Sequence, residues 1–239
     1  MGVTIVDNLE LLYKEAADQF VDFAKEAIQD KGIFVVAVSG GSSPKAIFKL
    51  LATQNYAEQI DWKNIYFFWV DERWVPLDDE KSNAKMTFET LLNKVPVHKD
   101  HIFPMFKEGI LPEDYAVEYE NEIRNVLGDE GRFDFILLGM GDDGHTASLF
   151  PGEEILHENK KWVDAYYLAP QNMYRITLTA PIINRAEHIL VITFGASKKH
   201  ALKEVLHGAY NPHLYPLQLI KPEKRELQFL TDSETLQSV

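Results

Sequence analysis

Three short stretches of this chain are apolar almost throughout and do not alternate with polar residues: IFVVAVS (33–39), IYFFWVDE (65–72) and FDFILLGMG (133–141). A strand with one face in water alternates, so such runs read as strands buried on both faces, as in a parallel sheet between helices. RITLT (175–179) and HILVITFG (188–195) read as two more strands. Helical spacing fills the intervals. Leu9, Leu12, Ala16, Phe20, Phe23 and Ala27 fall on one helix face, with Asn8 at its N-cap and Gly32 at its end. Residues 44–51 form a second helix, and Ser82 caps a third that carries Phe88, Leu91, Leu92 and Val95. Tyr115, Tyr119, Ile123, Val126 and Leu127 precede Gly128, and Ala201, Leu202, Val205 and Leu206 precede Gly208, each group at helical spacing. Strands alternating with helices predict an α/β fold, a mostly parallel sheet covered by helices on both faces. No internal repeat, low-complexity stretch or linker divides the chain, so residues 1–239 are expected to form a single domain.

Composition narrows the function. Thirty-seven acids against 24 Lys and Arg give a net charge of −13, which argues against a nucleic-acid partner, since such binding needs clustered cations. A small anion remains open to it, given a few cations gathered in one pocket. With no cysteine, disulfides, thiolate metal sites and cysteine nucleophiles are all excluded. The first residues lack the basic stretch and apolar run of a secretory leader, and no apolar stretch approaches the roughly 20 residues that cross a bilayer. The expectation is a cytoplasmic protein without a membrane role.

Ligands of parallel α/β sheets bind beyond the carboxyl ends of the strands, so the loops there carry the information. Ser39, Gly40, Gly41, Ser42, Ser43 and Pro44 link a strand to a helix. Two glycines allow close backbone approach, Ser43 suits the helix cap and Pro44 its first turn, and the free N–H groups make an anion site. It is not a Walker A loop, whose Gly-Lys-Ser/Thr ending is missing. Asp71, Glu72 and Arg73 follow a buried strand; on pattern alone they serve a site or a solvated surface equally well.

The run from Gly139 to Ser148, GMGDDGHTAS, contains a formal G-x-G-x-x-G. Asp142 and Asp143 would place carboxylates where a dinucleotide needs its pyrophosphate, and Pro151 leaves no room for the helix that should follow. The loop instead offers His145 two residues beyond Asp143, an imidazole that a carboxylate can orient to accept a proton. Arg175 and Lys198 read as surface charge or as ligands; a cation near a helix N-terminus, as at Lys198, is a cost that a bound anion relieves. His98 and His101 lack a third ligand, so no metal site is expected, and no Gly-x-Ser-x-Gly elbow supports a serine nucleophile.

Taken in order, SGGSSPKAIF (39–48), WVDERWVP (69–76), SNAKM (82–86), GMGDDGHTASLFPG (139–152), YRITLT (174–179) and GASKKHAL (195–202) resemble the 6-phosphogluconolactonases. The resemblance implies the glucosamine-6-phosphate deaminase/ribose-5-phosphate isomerase type of fold. It also implies hydrolysis of a small sugar-phosphate lactone, 6-phospho-D-glucono-1,5-lactone, in the pentose phosphate pathway without a cofactor. His145 would then activate water and Asp143 orient it. Ser39, the backbone of Gly40, Gly41 and Ser42, and the side chains of Arg73, Arg175 and Lys198 would surround substrate oxygens, chiefly the phosphate, with Asp71 at the sugar end. The family often has Thr where Ser43 stands, and the tail after Lys198 matches only loosely, so no site residue is assigned there. Glucosamine-6-phosphate deaminases share the Asp-Gly-His loop but follow it with an acid-bearing Phe-Asn-Glu-Pro-Gly; here Leu149, Phe150, Pro151 and Gly152 supply none. A non-catalytic sugar-phosphate sensor would keep the cations and could dispense with His145.

Overall fold

The computed structural model describes residues 1–236. Its strands are β1 (Gly2–Val6), β2 (Phe34–Val38), β3 (Ile65–Trp69), β4 (Asp71–Arg73), β5 (Ile102–Phe103), β6 (Phe135–Gly139), β7 (Val163–Leu168), β8 (Met173–Leu178), β9 (His188–Thr193) and β10 (Gln228–Asp232). The helices are α1 (Leu9–Lys31), α2 (Ser42–Leu51), α3 (Gln54–Ala57), α4 (Asn83–Thr87), α5 (Pro112–Leu127), α6 (Ala180–Ile183), α7 (Lys199–His207) and α8 (Ser233–Leu236). Seven strands form one sheet in the order β1-β10-β9-β6-β2-β3-β5, and every pairing in it is parallel. The α/β fold predicted from the apolar runs is therefore the observed one.

Successive β3 residues show why those runs do not alternate. Phe67 points to one side of the sheet, where the Phe20 ring of α1 lies 6.5 Å away and also meets Phe34 and Phe135 at 5.4 and 6.1 Å. Phe68 points to the other side, stacking on Phe103 at 4.4 Å and meeting Tyr119 of α5 edge-on at 5.9 Å. Tyr119 is fully buried, and its hydroxyl donates to the Phe103 carbonyl (2.7 Å) while accepting from the Trp69 N–H (3.1 Å). With helices on both faces, each buried Phe contributes about 1.5–3 kcal/mol.

The caps expected for α1 are present: Asn8 accepts from the Leu11 N–H at 2.9 Å, and Gly32 closes the helix at φ 83. Ser82 accepts from the Lys85 N–H at 3.0 Å, but α4 runs on as a π-turn over Phe88–Leu92, closed by the Asn93 N–H on the Phe88 carbonyl.

Three expectations need correction. The run 65–72 is not one strand: β3 ends at Trp69, and Asp71 begins β4 of a second sheet, ordered β4-β8-β7 and antiparallel. Residues 175–179 accordingly belong to that small sheet and not to the main one. Val70 is the joint. Its N–H donates to Val38 of the main sheet (3.0 Å), and its carbonyl accepts from Leu178 of β8 (2.7 Å). Nor does Ser43 cap α2. The helix begins at Ser42, Gly41 occupies the cap position at φ 106, and no side chain caps it. β1, β5, β7 and β10 carry no long unbroken apolar run, and the sequence pattern does not mark them as strands.

Candidate active site

A cavity of about 320 Å³ opens beyond the carboxyl ends of β2, β3 and β6. Ser39, Gly40 and Gly41 form its floor, and Ser39 is tied down by donating to the Leu137 carbonyl at 2.8 Å. Gly41 holds a φ that a side chain rarely adopts, and because nothing caps α2, its first N–H groups are left for a ligand.

β4 and β8 contribute the charges. Their register sets Arg73 directly opposite Arg175, and Asp71 opposite Thr177. Asp71 is buried; its Oδ2 accepts from Ser148 Oγ at 2.7 Å and lies 3.9 Å from Arg175 Nη1. Arg175 is only 4% exposed, and burial draws its pKa down. Arg73 donates through Nη1 to the Lys81 carbonyl at 2.7 Å, and Arg175 through Nη2 to Gln171. The Nε atoms of both arginines are buried without a partner among the described residues. Two guanidiniums side by side, each with an idle buried donor, are an arrangement that an anion would stabilise.

On the third wall, His145 Nδ1 lies 2.6 Å from Asp143 Oδ1, which also accepts the His145 backbone N–H at 3.0 Å. Burial acts to raise the Asp143 pKa, but these bonds outweigh it and hold the carboxyl below its ordinary value. An ionised Asp143 accepts a hydrogen bond from Nδ1–H, which leaves Nε2 as the basic nitrogen. The ring stacks on Phe150 at 4.1 Å, and Gly141 is glycine of necessity, since a Cβ there would stand 2.0 Å from Nδ1. Lys198 reaches Asp142 at 2.6 Å, and that hydrogen bond lowers the Asp142 pKa.

Of the residues singled out in the sequence, Ser39, Gly40, Gly41, Asp71, Arg73, His145, Arg175 and Lys198 line this cavity together. Asp143 stands behind His145, and Ser42 is exposed at the start of α2, outside the lining. Asn83, Thr146, Phe150 and Gln171 line it too, and Ser148 holds Asp71 from behind. Asn83 and Ser148 sat unassigned inside SNAKM and GDDGHTAS; nothing in the sequence marked Gln171. His98 and His101 lie apart, His101 stacked on Tyr66, and among the described residues no three metal-ligating side chains converge. A larger cavity of about 530 Å³ at the opposite end of the strands is lined by charges that neutralise one another, Lys31 with Asp134 (2.8 Å) and Arg225 with Glu187 (2.9 Å).

The family described as glucosamine-6-phosphate isomerases/6-phosphogluconolactonase matches residues 7–229. The chain belongs to this family. Among its similar proteins is a 6-phosphogluconolactonase of Synechocystis, 36% identical over 97% of this chain and 95% of the relative. A solved structure described as devB protein superposes with a TM-score of 0.89 at 31% identity, covering 98% of this chain and 97% of that one. The 6-phosphogluconolactonase of Trypanosoma brucei superposes with a TM-score of 0.84 at 26% identity over 98% and 97% of the two chains. This member of the glucosamine-6-phosphate isomerase/6-phosphogluconolactonase family has, among its described residues, no helix long and apolar enough to cross a membrane.

Proposed function

We propose that the protein hydrolyses 6-phospho-D-glucono-1,5-lactone to 6-phospho-D-gluconate as a single-domain enzyme of the cytoplasm, without cofactor or nucleic-acid partner. The observation that carries this reading is one cavity holding an oriented imidazole on one wall and the Arg73, Arg175 and Lys198 cations on the others. In this reading the cations, with the free N–H groups of α2, take the phosphate, and Asp71 meets the sugar hydroxyls. Water is held by His145 Nε2, which removes its proton as the oxygen attacks the lactone carbonyl. The imidazolium that forms is stabilised by Asp143 through Nδ1–H. Collapse of the tetrahedral intermediate breaks the ring C–O bond, and the departing oxygen takes the proton back from His145. A positioned base of this kind is worth roughly 10²–10⁴-fold.

Deamination of glucosamine 6-phosphate is the less supported reading. The resemblance to deaminases would require an acid after the Asp-Gly-His loop, whereas here the face of His145 is covered by Phe150. The test is the hydrolysis of freshly prepared 6-phosphogluconolactone, corrected for spontaneous decay, beside unphosphorylated gluconolactone and ammonia release from glucosamine 6-phosphate. Rapid turnover of the phosphorylated lactone alone is expected. Ammonia release, or no hydrolysis above background, would overturn the proposal.

A further inference from the structure

Asn83 is a buried polar residue of the cavity to which the reaction just described gives no task. Its side chain is 3% exposed, and its amide has one orientation, because Nδ2 donates to the Asp71 carbonyl at 3.0 Å. The rest of the amide lies flat against Gly40. A Cβ added there would stand 1.8 Å from Oδ1 and 2.2 Å from Cγ. Gly40 has no positive φ to justify a glycine, in contrast to Gly41 beside it. It is the closeness of Asn83 that requires the missing side chain.

The position of Asn83 is in turn set by a carboxylate with no exposure at all. Glu72 Oε1 accepts the N–H groups of Arg73 and Asn83, each at 2.8 Å. Oε2 accepts the Ala84 N–H at 2.8 Å and Ser82 Oγ at 3.0 Å. One side chain thus fastens β4, at the residue that carries a cavity guanidinium, to the first turn of α4. No ion pair to Glu72 occurs among the described residues, so the group is held by hydrogen bonds alone. A buried carboxylate satisfied this way is expensive to keep, and what it contributes here is placement.

We propose that Asn83, braced by Glu72, is a positioning residue that sets the distance between the Gly40–Gly41 turn and the Asp71–Arg73 strand, and with it the width of the anion pocket. The proposal rests on reading that pocket as a phosphate site. It makes the glycine–serine loop and the two arginines one braced unit and separates them from the His145 wall. Asn83 should therefore act on how tightly phosphate is gripped more than on the proton transfer.

The experiment is a double-mutant cycle over Gly40→Ala and Asn83→Ala, read by calorimetric titration with 6-phosphogluconate and with gluconate, alongside kcat and KM. Asn83→Ala is expected to weaken 6-phosphogluconate at least tenfold and to raise KM more than it lowers kcat. Gly40→Ala alone is expected to weaken it at least as much, because the new methyl meets a tethered amide. In the double variant part of that loss should return, since the collision is gone. A merely structural role would instead lower the melting temperature and leave the affinity of the folded protein unchanged. That result would overturn the proposal. Asn83→Asp keeps the shape but not the donation to Asp71, and serves if the alanine variant does not fold; it too should bind at least tenfold more weakly. The unmodified protein tests the underlying reading separately. If it does not prefer 6-phosphogluconate to gluconate, the phosphate reading fails and this proposal with it; if the preference exists and survives intact in Asn83→Ala, only the positioning role fails.

Discussion

Glu72→Gln should change how stability depends on pH, and the buried carboxylate fixes both sign and size. Burial raises the Glu72 pKa from 4.5 to about 7, against the opposing pull of the Asn83, Ala84 and Arg73 N–H groups. The folded protein therefore holds this proton more tightly than the unfolded chain, and between pH 4.5 and 7 folding takes one up. Stability is greatest below that window and falls as pH rises through it. A displacement of this size corresponds to about 3 kcal/mol at 1.36 kcal/mol per pKa unit. About 2 kcal/mol of it falls between pH 5.5 and 8, a range above the acid region where 37 acids and 24 Lys and Arg approach zero net charge. Glutamine does not titrate, and its own misfit with the four donors is the same at every pH. The stability difference, wild type minus Glu72→Gln, should thus fall by about 2 kcal/mol over that range in urea unfolding series. A flat difference, or one that grows with pH, would refute the reasoning. The fall itself would mean that at neutral pH the carboxylate lowers stability for the sake of the cavity it organises, the trade common at functional sites.

Three other outcomes follow from the cavity. His145→Ala should lower kcat by roughly 10²–10⁴-fold with affinity for 6-phosphogluconate within a few-fold; retention of a tenth of the wild-type kcat would remove His145 as the base. Arg175→Ala and Lys198→Ala should each lower kcat/KM for the phosphorylated lactone by about tenfold or more, at roughly 1.5–3 kcal/mol per charge-assisted bond, and scarcely alter it for gluconolactone. Equal losses on both lactones would point to general damage instead. Activity should survive exhaustive dialysis against a chelator, since no three ligating side chains converge among the described residues; loss restored by added metal would contradict this.

The main sheet was legible because its evidence is local. The apolar stretches within the runs 33–39, 65–72 and 133–141 show by their lack of alternation that both faces are covered, as the opposite directions of Phe67 and Phe68 bear out. The capping of α1 by Asn8 and Gly32 was readable for the same reason. The second sheet was not, because its β4 edge pairs with β8 across a hundred residues. Nothing near Arg73 indicates that it will face Arg175, and only the register of β4 on β8 brings the two together. Ser43 misled in another way: it is a good capping residue, but Gly41 already turned the chain and the helix started two positions early. Asn83 carried no chemical signal of its own. Its importance comes from the space it occupies, and sequence patterns do not report space.

Val70 has a bearing on how the cavity behaves under thermal agitation. The residue hangs from the main sheet by its N–H, and its carbonyl carries the end of β8, the central strand of the small sheet. The wall bearing the arginines and the floor bearing the glycine turn therefore cannot shear past each other without breaking one of these two bonds. The site should be stiff in the direction that matters for gripping a phosphate, and any opening should come from the loops above it. Amide hydrogen exchange would register this as a Leu178 proton that exchanges no faster than that of Val70, the two sheets opening as one cooperative unit.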